Sequence, residues 1–185
     1  LCVNVPEPMI DPFSETVSGN SRISFGLSSA GYDLRLASEI MLFKNSYGEI
    51  LDPKSFGDSN YRKRVFERLD TDDGSAIIPP GAYVLARSLE CLHIPRHLKG
   101  RVVGKSTYAR IGILVNTTPL EPGWKGTLTI EIGNVTPCPV RIYVGEGIAQ
   151  LELEELNGLP EADYAQKPGG GKYQNQTSVT PARVQ

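Results

Sequence analysis

Short apolar runs, broken every ten or so residues by Gly, Pro, Asn or Asp, run along most of the chain. Where the runs alternate with polar positions they predict strands rather than helices. Residues 24–36 read as a turn of small residues feeding a strand, in which Asp33 and Arg35 share one face, either as an ion pair or as part of a site. Residues 40–43 form another apolar run. Residues 45–73 are polar, charged and aperiodic, which predicts a long and partly mobile excursion. Pro79, Pro80 and Gly81 separate two apolar segments and predict a corner between strands. A strand over 111–115 is followed by a loop over 116–124 that holds Pro119, Pro122 and Gly123. In the next strand, alternation puts Thr127, Thr129 and Glu131 on one face and Leu128, Ile130 and Ile132 on the other.

Composition fits this picture. With 185 residues, 39% of them hydrophobic, the chain has the length of one domain with an ordinary core, and 19 glycines with 14 prolines match an all-β fold. A net charge of −2 argues against a nucleic-acid binder, which needs a basic stripe, but not against binding one small anion. Cys2, Cys91 and Cys138 are odd in number and irregularly spaced, so no disulfide framework is expected and a reducing, cytoplasmic setting is. No apolar run reaches the length of a membrane span, and the start has no signal-peptide pattern, so no membrane partner is expected. The lack of an initiator Met leaves room for an upstream segment.

Candidate chemistry concentrates in two places. Gly104-Lys105-Ser106-Thr107-Tyr108-Ala109-Arg110 offers backbone N–H groups, an ammonium and hydroxyls, the donor set of a phosphate site. It is not a Walker A loop, since Lys99 stands where the first glycine would be. Glu131, in mid-strand among β-branched residues, is placed for partial burial and a raised pKa, as a general base near neutral pH requires, or for pairing with an arginine. Cys91, His93 and His97 lie close enough to suggest zinc, but Pro95 interrupts them and no H-x-E or P-C-x-x-C pair of a zinc deaminase is present. No catalytic zinc is therefore expected.

Seven segments, at 10–13, 27–35, 77–80, 104–110, 115–124, 145–151 and 171–174, occur in the order found in dCTP deaminases, and the chain resembles that metal-independent family of the dUTPase-like superfamily along nearly its whole length. The resemblance implies a distorted β-barrel or jelly-roll with a few short helices. It also implies a homotrimer with shared active sites, and hydrolysis of dCTP to dUTP and ammonia with Mg²⁺ bound through the triphosphate. Glu131 matches the general base and proton shuttle, with Ser106 and Arg110 as its catalytic companions, Arg110 coming from a neighbouring subunit. Lys105, Ser106, Thr107, Tyr108, Ala109 and Arg110 match the phosphate-side motif, and the peptide groups of Thr129, Ile130 and Glu131 match the pyrimidine-reading edge. Glu121 matches a position near the sugar, Gln150 and Tyr164 match nucleotide contacts, and Lys172 and Gln176 match the triphosphate-binding tail.

The chain departs from the family pattern at Gln166 and Lys167 and in its run of glycines at 169–171. Those glycines predict a hinge, with residues 165–185 a mobile tail of the single domain that closes over bound nucleotide. Feedback inhibition by dTTP is a further implication of the resemblance. Two alternatives stay open: a bifunctional deaminase and dUTP diphosphatase, since the segments at 30–34 and 147–151 also resemble dUTPase motifs, and a nucleotide-sensing trimer without turnover.

Overall fold

The computed structural model describes residues 7–44 and 48–184; Cys2 and the first residues of the predicted excursion lie outside them. Twelve strands follow one another: β1 (Ile10–Asp11), β2 (Val17–Gly19), β3 (Arg22–Ser28), β4 (Gly31–Phe43), β5 (Phe66–Arg68), β6 (Ser75–Ile78), β7 (Tyr83–His93), β8 (Leu98–Gly104), β9 (Ile113–Asn116), β10 (Lys125–Asn134), β11 (Val140–Tyr143) and β12 (Gly147–Glu155). Helices are short: α1 (Ser59–Val65), α2 (Ser106–Ala109), and single 3-10 turns at Ser55–Gly57 and Tyr164–Gln166. The all-β expectation is met.

The main sheet runs β2-β3-β4-β7-β10-β9, all neighbours antiparallel, with β12 and β8 attached beside β4. The 13-residue β4 makes this possible. Its first half pairs with β3 and β12, its second with β7 and β5, and the register shifts between Leu36 and Ile40. A strand that changes partners midway bends the sheet into a half-barrel. Inside the curl lies the main core, in which Leu34, Leu36, Ile40, Ile130, Ile132 and Ile148 are fully buried.

The 45–73 excursion is more ordered than its composition suggests. From Gly48 onward it holds a 3-10 turn, α1 and β5, and Asp58 caps α1 by accepting from the N–H of Asn60 at 2.8 Å. Phe56, Tyr61, Val65 and Phe66 then gather with Leu85 of β7 and Val179 of the tail into a second apolar cluster on the other face of the sheet. Asp33 and Arg35 do not pair with each other. Asp33 contacts Lys105, and Arg35 reaches the buried Glu90 at 2.6 Å.

Candidate functional site

Glu131 sits in β10 directly across from Leu85 of β7 on one side and Asn116 of β9 on the other. Residues facing each other across an antiparallel pair share a face. Glu131 thus projects on the side of the second apolar cluster, with its Leu85, Phe43 and Phe66, while Ile130 and Ile132 enter the main core. The predicted alternation holds at this end of the strand. It holds at Leu128 too, which packs in the main core with Ile130 and Ile132, although the register between β10 and β7 slips there: Ser88–Glu90 of β7 all stand opposite Leu128, whose N–H donates to Ser88 Oγ. Leu128 and Thr129, adjacent in sequence, both contribute to the lining of the pocket in front of Glu131.

That pocket has a volume of about 820 Å³, within the range of small-molecule sites. Its walls differ in character. Apolar lining comes from Leu51 and from Phe43, Phe56, Phe66 and Leu85, which pack together, and polar lining from Lys172, Gln176 and the linked Glu121, Lys167 and Tyr164. Burial pushes the Glu131 carboxyl up to about 7, opposed only by a bond from its own backbone N–H. No cation among the described residues offsets the desolvation. Among the described residues, the buried side-chain polar atoms without a hydrogen-bond partner are Glu131 Oε2 and Gln176 Oε1, and both residues line this pocket. Unpaired buried acceptors are costly in a folded chain and mark groups kept for something else.

The C-terminal segment is the pocket's third wall. Gln176 lies alongside Gly126, its carbonyl accepts from Thr127 N–H at 2.8 Å, and its Nε2 donates to Thr127 O at 2.8 Å. Thr180 N–H donates to Thr129 Oγ1, Trp124 Nε1–H to Tyr173 O, and Val179 is buried. Gly126, at φ +146°, lets this strand approach, since a Cβ there would lie 2.8 Å from the Gln176 carbonyl oxygen. Of the three predicted hinge glycines, Gly169 and Gly170 have positive φ, and Gly171 has a packing reason of its own: a Cβ there would sit 2.2 Å from the Tyr164 ring. Lys167 Nζ bonds Glu121 Oε1 at 2.7 Å and lies 5.3 Å from the centroid of the Tyr164 ring.

Of the residues singled out in the sequence, Glu121, Thr129, Glu131, Tyr164, Lys172 and Gln176 come together here. Ile130 is fully buried, so only its peptide groups are available. On the outer edge of β10, residues 128–130 have no strand in register with them among the described residues, because the tail covers Gly126 and β9 begins opposite Glu131. Lys105, Ser106, Thr107, Ala109, Arg110 and Gln150 do not line this pocket. Residues 106–109 form α2, not an open loop, and the Lys105 N–H is taken by Ile148 O while its ammonium contacts Asp33. Ser106, Thr107, Ala109 and Arg110 are exposed on that separate surface, and Gln150 lies opposite Asp33. Tyr108, unlike its neighbours in the motif, is 2% exposed, packs in the main core, and its hydroxyl accepts from Tyr143 N–H.

Sequence reasoning missed Phe56, Phe66, Leu85 and Lys167 as pocket residues. Only Lys167 had a signal, as a departure from the family pattern. His93 faces Glu7 at 3.2 Å, and among the described residues no group of three or more His, Cys, Asp or Glu is placed to hold a metal ion.

A curled antiparallel sheet with a desolvated, unpartnered carboxylate in a pocket that also holds two lysines defines a small-molecule site suited to a polar, anionic ligand. A family model described as dCTP deaminase-like matches residues 7–156, and the chain belongs to that family. It is 47% identical over 176 residues to a dCTP deaminase of Acidithiobacillus ferrooxidans, covering 93% of this chain and 89% of that one. To a dCTP deaminase of Roseiflexus castenholzii it is 49% identical over 177 residues, covering 95% and 91%. Among solved structures it is similar in fold to the 2'-deoxycytidine 5'-triphosphate deaminase of Agrobacterium tumefaciens, with a TM-score of 0.54 at 20% identity over 69% of this chain and 38% of that longer one.

Proposed function

We propose that the chain catalyses hydrolytic deamination of dCTP to dUTP and ammonia, with Glu131 as the general base. The observation that carries this is the buried Glu131 Oε2 without a partner in the pocket of a chain of this family. A carboxylate with a pKa of about 7 is half deprotonated at neutral pH, able to accept a proton from water and to give it back. Water adds at C4 of the base as Glu131 takes its proton. N3 gains a proton as the tetrahedral centre forms, the C4–N bond then breaks, and the amine leaves as ammonia once protonated. One carboxylate serves each transfer in turn.

The remaining roles follow the pocket's polarity. Peptide groups at 129–131 read the pyrimidine edge, Glu121 and Tyr164 lie toward the sugar, and Lys172 and Gln176 hold the triphosphate. Mg²⁺ would be held by the phosphate oxygens themselves, since Glu121 is already engaged by Lys167; bound there it neutralises phosphate charge. Ser106 and Arg110, exposed and away from Glu131 in one protomer, would reach a neighbour's pocket in a homotrimer, together with Lys105, Thr107 and the nearby Gln150. We read the enzyme as cytoplasmic and subject to dTTP inhibition. The test is incubation with dCTP and Mg²⁺ with chromatographic resolution of products, alongside a solution mass. Equimolar dUTP and ammonia from a trimer support the reading, dUMP and diphosphate would add a second hydrolysis, and binding without turnover would overturn it.

A further inference from the structure

Glu131 lies on a boundary. Toward β9 and the tail its neighbours are polar: Asn116 directly opposite, Thr129, the Gln176 side chain with its unpartnered Oε1, and the unregistered backbone edge of residues 128–130. Toward β7 the pocket lining is apolar: Leu85 directly opposite, then Phe43 and Phe66, whose ring centroids are 4.4 Å apart, with Phe56 and Ala182. The one hydroxyl on this side near Glu131 among the described residues is that of Tyr83, beside Phe43 and outside the pocket lining. The atoms flanking C4 of a cytosine ring are divided in the same way. N3 needs a hydrogen-bonding partner, and C5 offers only carbon and hydrogen.

A base presenting C4 to Glu131 therefore has one orientation that leaves no polar atom unpaired: N3 and O2 toward the backbone edge, C5 toward the aromatic recess. The inverse orientation buries N3 against Leu85 and the phenylalanines, which a pocket built for hydrogen bonding disfavours strongly. The recess belongs to a pocket of about 820 Å³, and its lining there, Leu85, Phe43, Phe66, Phe56 and Ala182, is hydrocarbon that can pack against an alkyl group.

We propose that the chain also deaminates deoxycytidine triphosphates carrying an apolar substituent at C5, with 5-methyl-dCTP as the simplest. The inference rests on the deamination reading and extends it. The reaction balances without any co-reactant: water adds at C4, the C4–N bond breaks, ammonia leaves, and 5-methyl-dCTP becomes dTTP.

Initial rates with dCTP and with 5-methyl-dCTP, each followed by chromatography and ammonia release, test this on the full chain. The expected kcat/KM for 5-methyl-dCTP is within about tenfold of that for dCTP, the span one methyl group commands in an apolar pocket. Ala182→Leu, which narrows the recess, should lower the methylated substrate about tenfold more than dCTP. A protein that turns over dCTP but not 5-methyl-dCTP, or a variant that slows both equally, would place C5 elsewhere and overturn the inference alone. If neither nucleotide is deaminated, the deamination reading falls with it.

Discussion

Two glutamates on adjacent strands, Glu90 in β7 and Glu131 in β10, are both held above the usual carboxylate range by burial, and they stand in opposite kinds of surroundings. Glu90 is fully buried, yet its oxygens accept from the Arg35 backbone N–H at 2.9 Å and from Arg35 Nε at 2.6 Å. The same guanidinium donates to Pro12 O and packs 5.1 Å from the Phe25 ring centroid. Every group in that corner has a partner, so it ties β4, β7 and the segment leading from β1 together. Glu131 is less buried but has no cation and one orphan oxygen, facing a pocket. Desolvation alone does not mark a functional carboxylate. Desolvation combined with an unmet bonding capacity and space for a ligand does.

The strongest way to break this contrast is Glu131→Gln. As general base its loss should reduce turnover about 10²- to 10⁴-fold while nucleotide binding persists. The same change should stabilise the empty protein at alkaline pH. Below the ordinary carboxylate range Glu131 is protonated in folded and unfolded chains alike and costs nothing. As pH rises from there the cost of ionising it grows, levelling off above about 7, where the gap corresponds to at most about 3 kcal/mol. Thermal melts at pH 5 and pH 9 would show the variant gaining much more at the higher pH than at the lower. A variant no more stable at pH 9 would mean that Glu131 is not desolvated.

Arg35→Met should do the reverse, leaving Glu90 buried without its partner and costing about 3–5 kcal/mol in urea unfolding. Turnover per folded molecule should change little, because Glu90 does not line the pocket. Phe56→Ala sharpens the contrast from the other side. Opening the aromatic wall admits water to Glu131, so the acid limb of kcat/KM, expected near pH 7, should move down by about one pH unit toward the ordinary carboxylate range. A limb that stays in place would show that Phe56 does not dry the site. The smallest effect is expected from Lys167→Gln. Its pair with Glu121 is exposed, so stability should shift by under about 0.5 kcal/mol in the same unfolding assay, with only a few-fold rise in KM for the nucleotide.

Much of this was legible in the chain. Alternation around Glu131 and the Pro79–Pro80 corner between β6 and β7 came out as read, because each is local and periodic. The strand expected over 111–115 starts and ends later, at Ile113–Asn116, residues 111 and 112 being drawn into the turn that follows α2. What stayed hidden depends on contacts between distant segments. Phe56, Tyr61, Val65 and Phe66 are scattered among charges with no strand or long-helix period, and only their meeting with Leu85 and Val179 makes a core of them. Nothing near Glu90 distinguishes it from Glu131, since Arg35 is 55 residues away in sequence. The bulge in β7 opposite Leu128, where the Ser88 hydroxyl accepts from the Leu128 N–H, joins residues 40 apart in sequence. The glycines at 169–171 looked like freedom alone, whereas Gly171 is also constrained by the Tyr164 ring.

The placement of Gln176 beside Gly126 has a consequence for solubility. β10 would otherwise present a bare outer edge from Lys125 to Thr127 as well as at 128–130, the type of surface on which identical chains pair and precipitate. The last turns of the polypeptide act as a chaperone built into the molecule, shielding a template for self-association. Proteolytic clipping after residue 170 would therefore be expected to send the protein out of solution as well as to silence it.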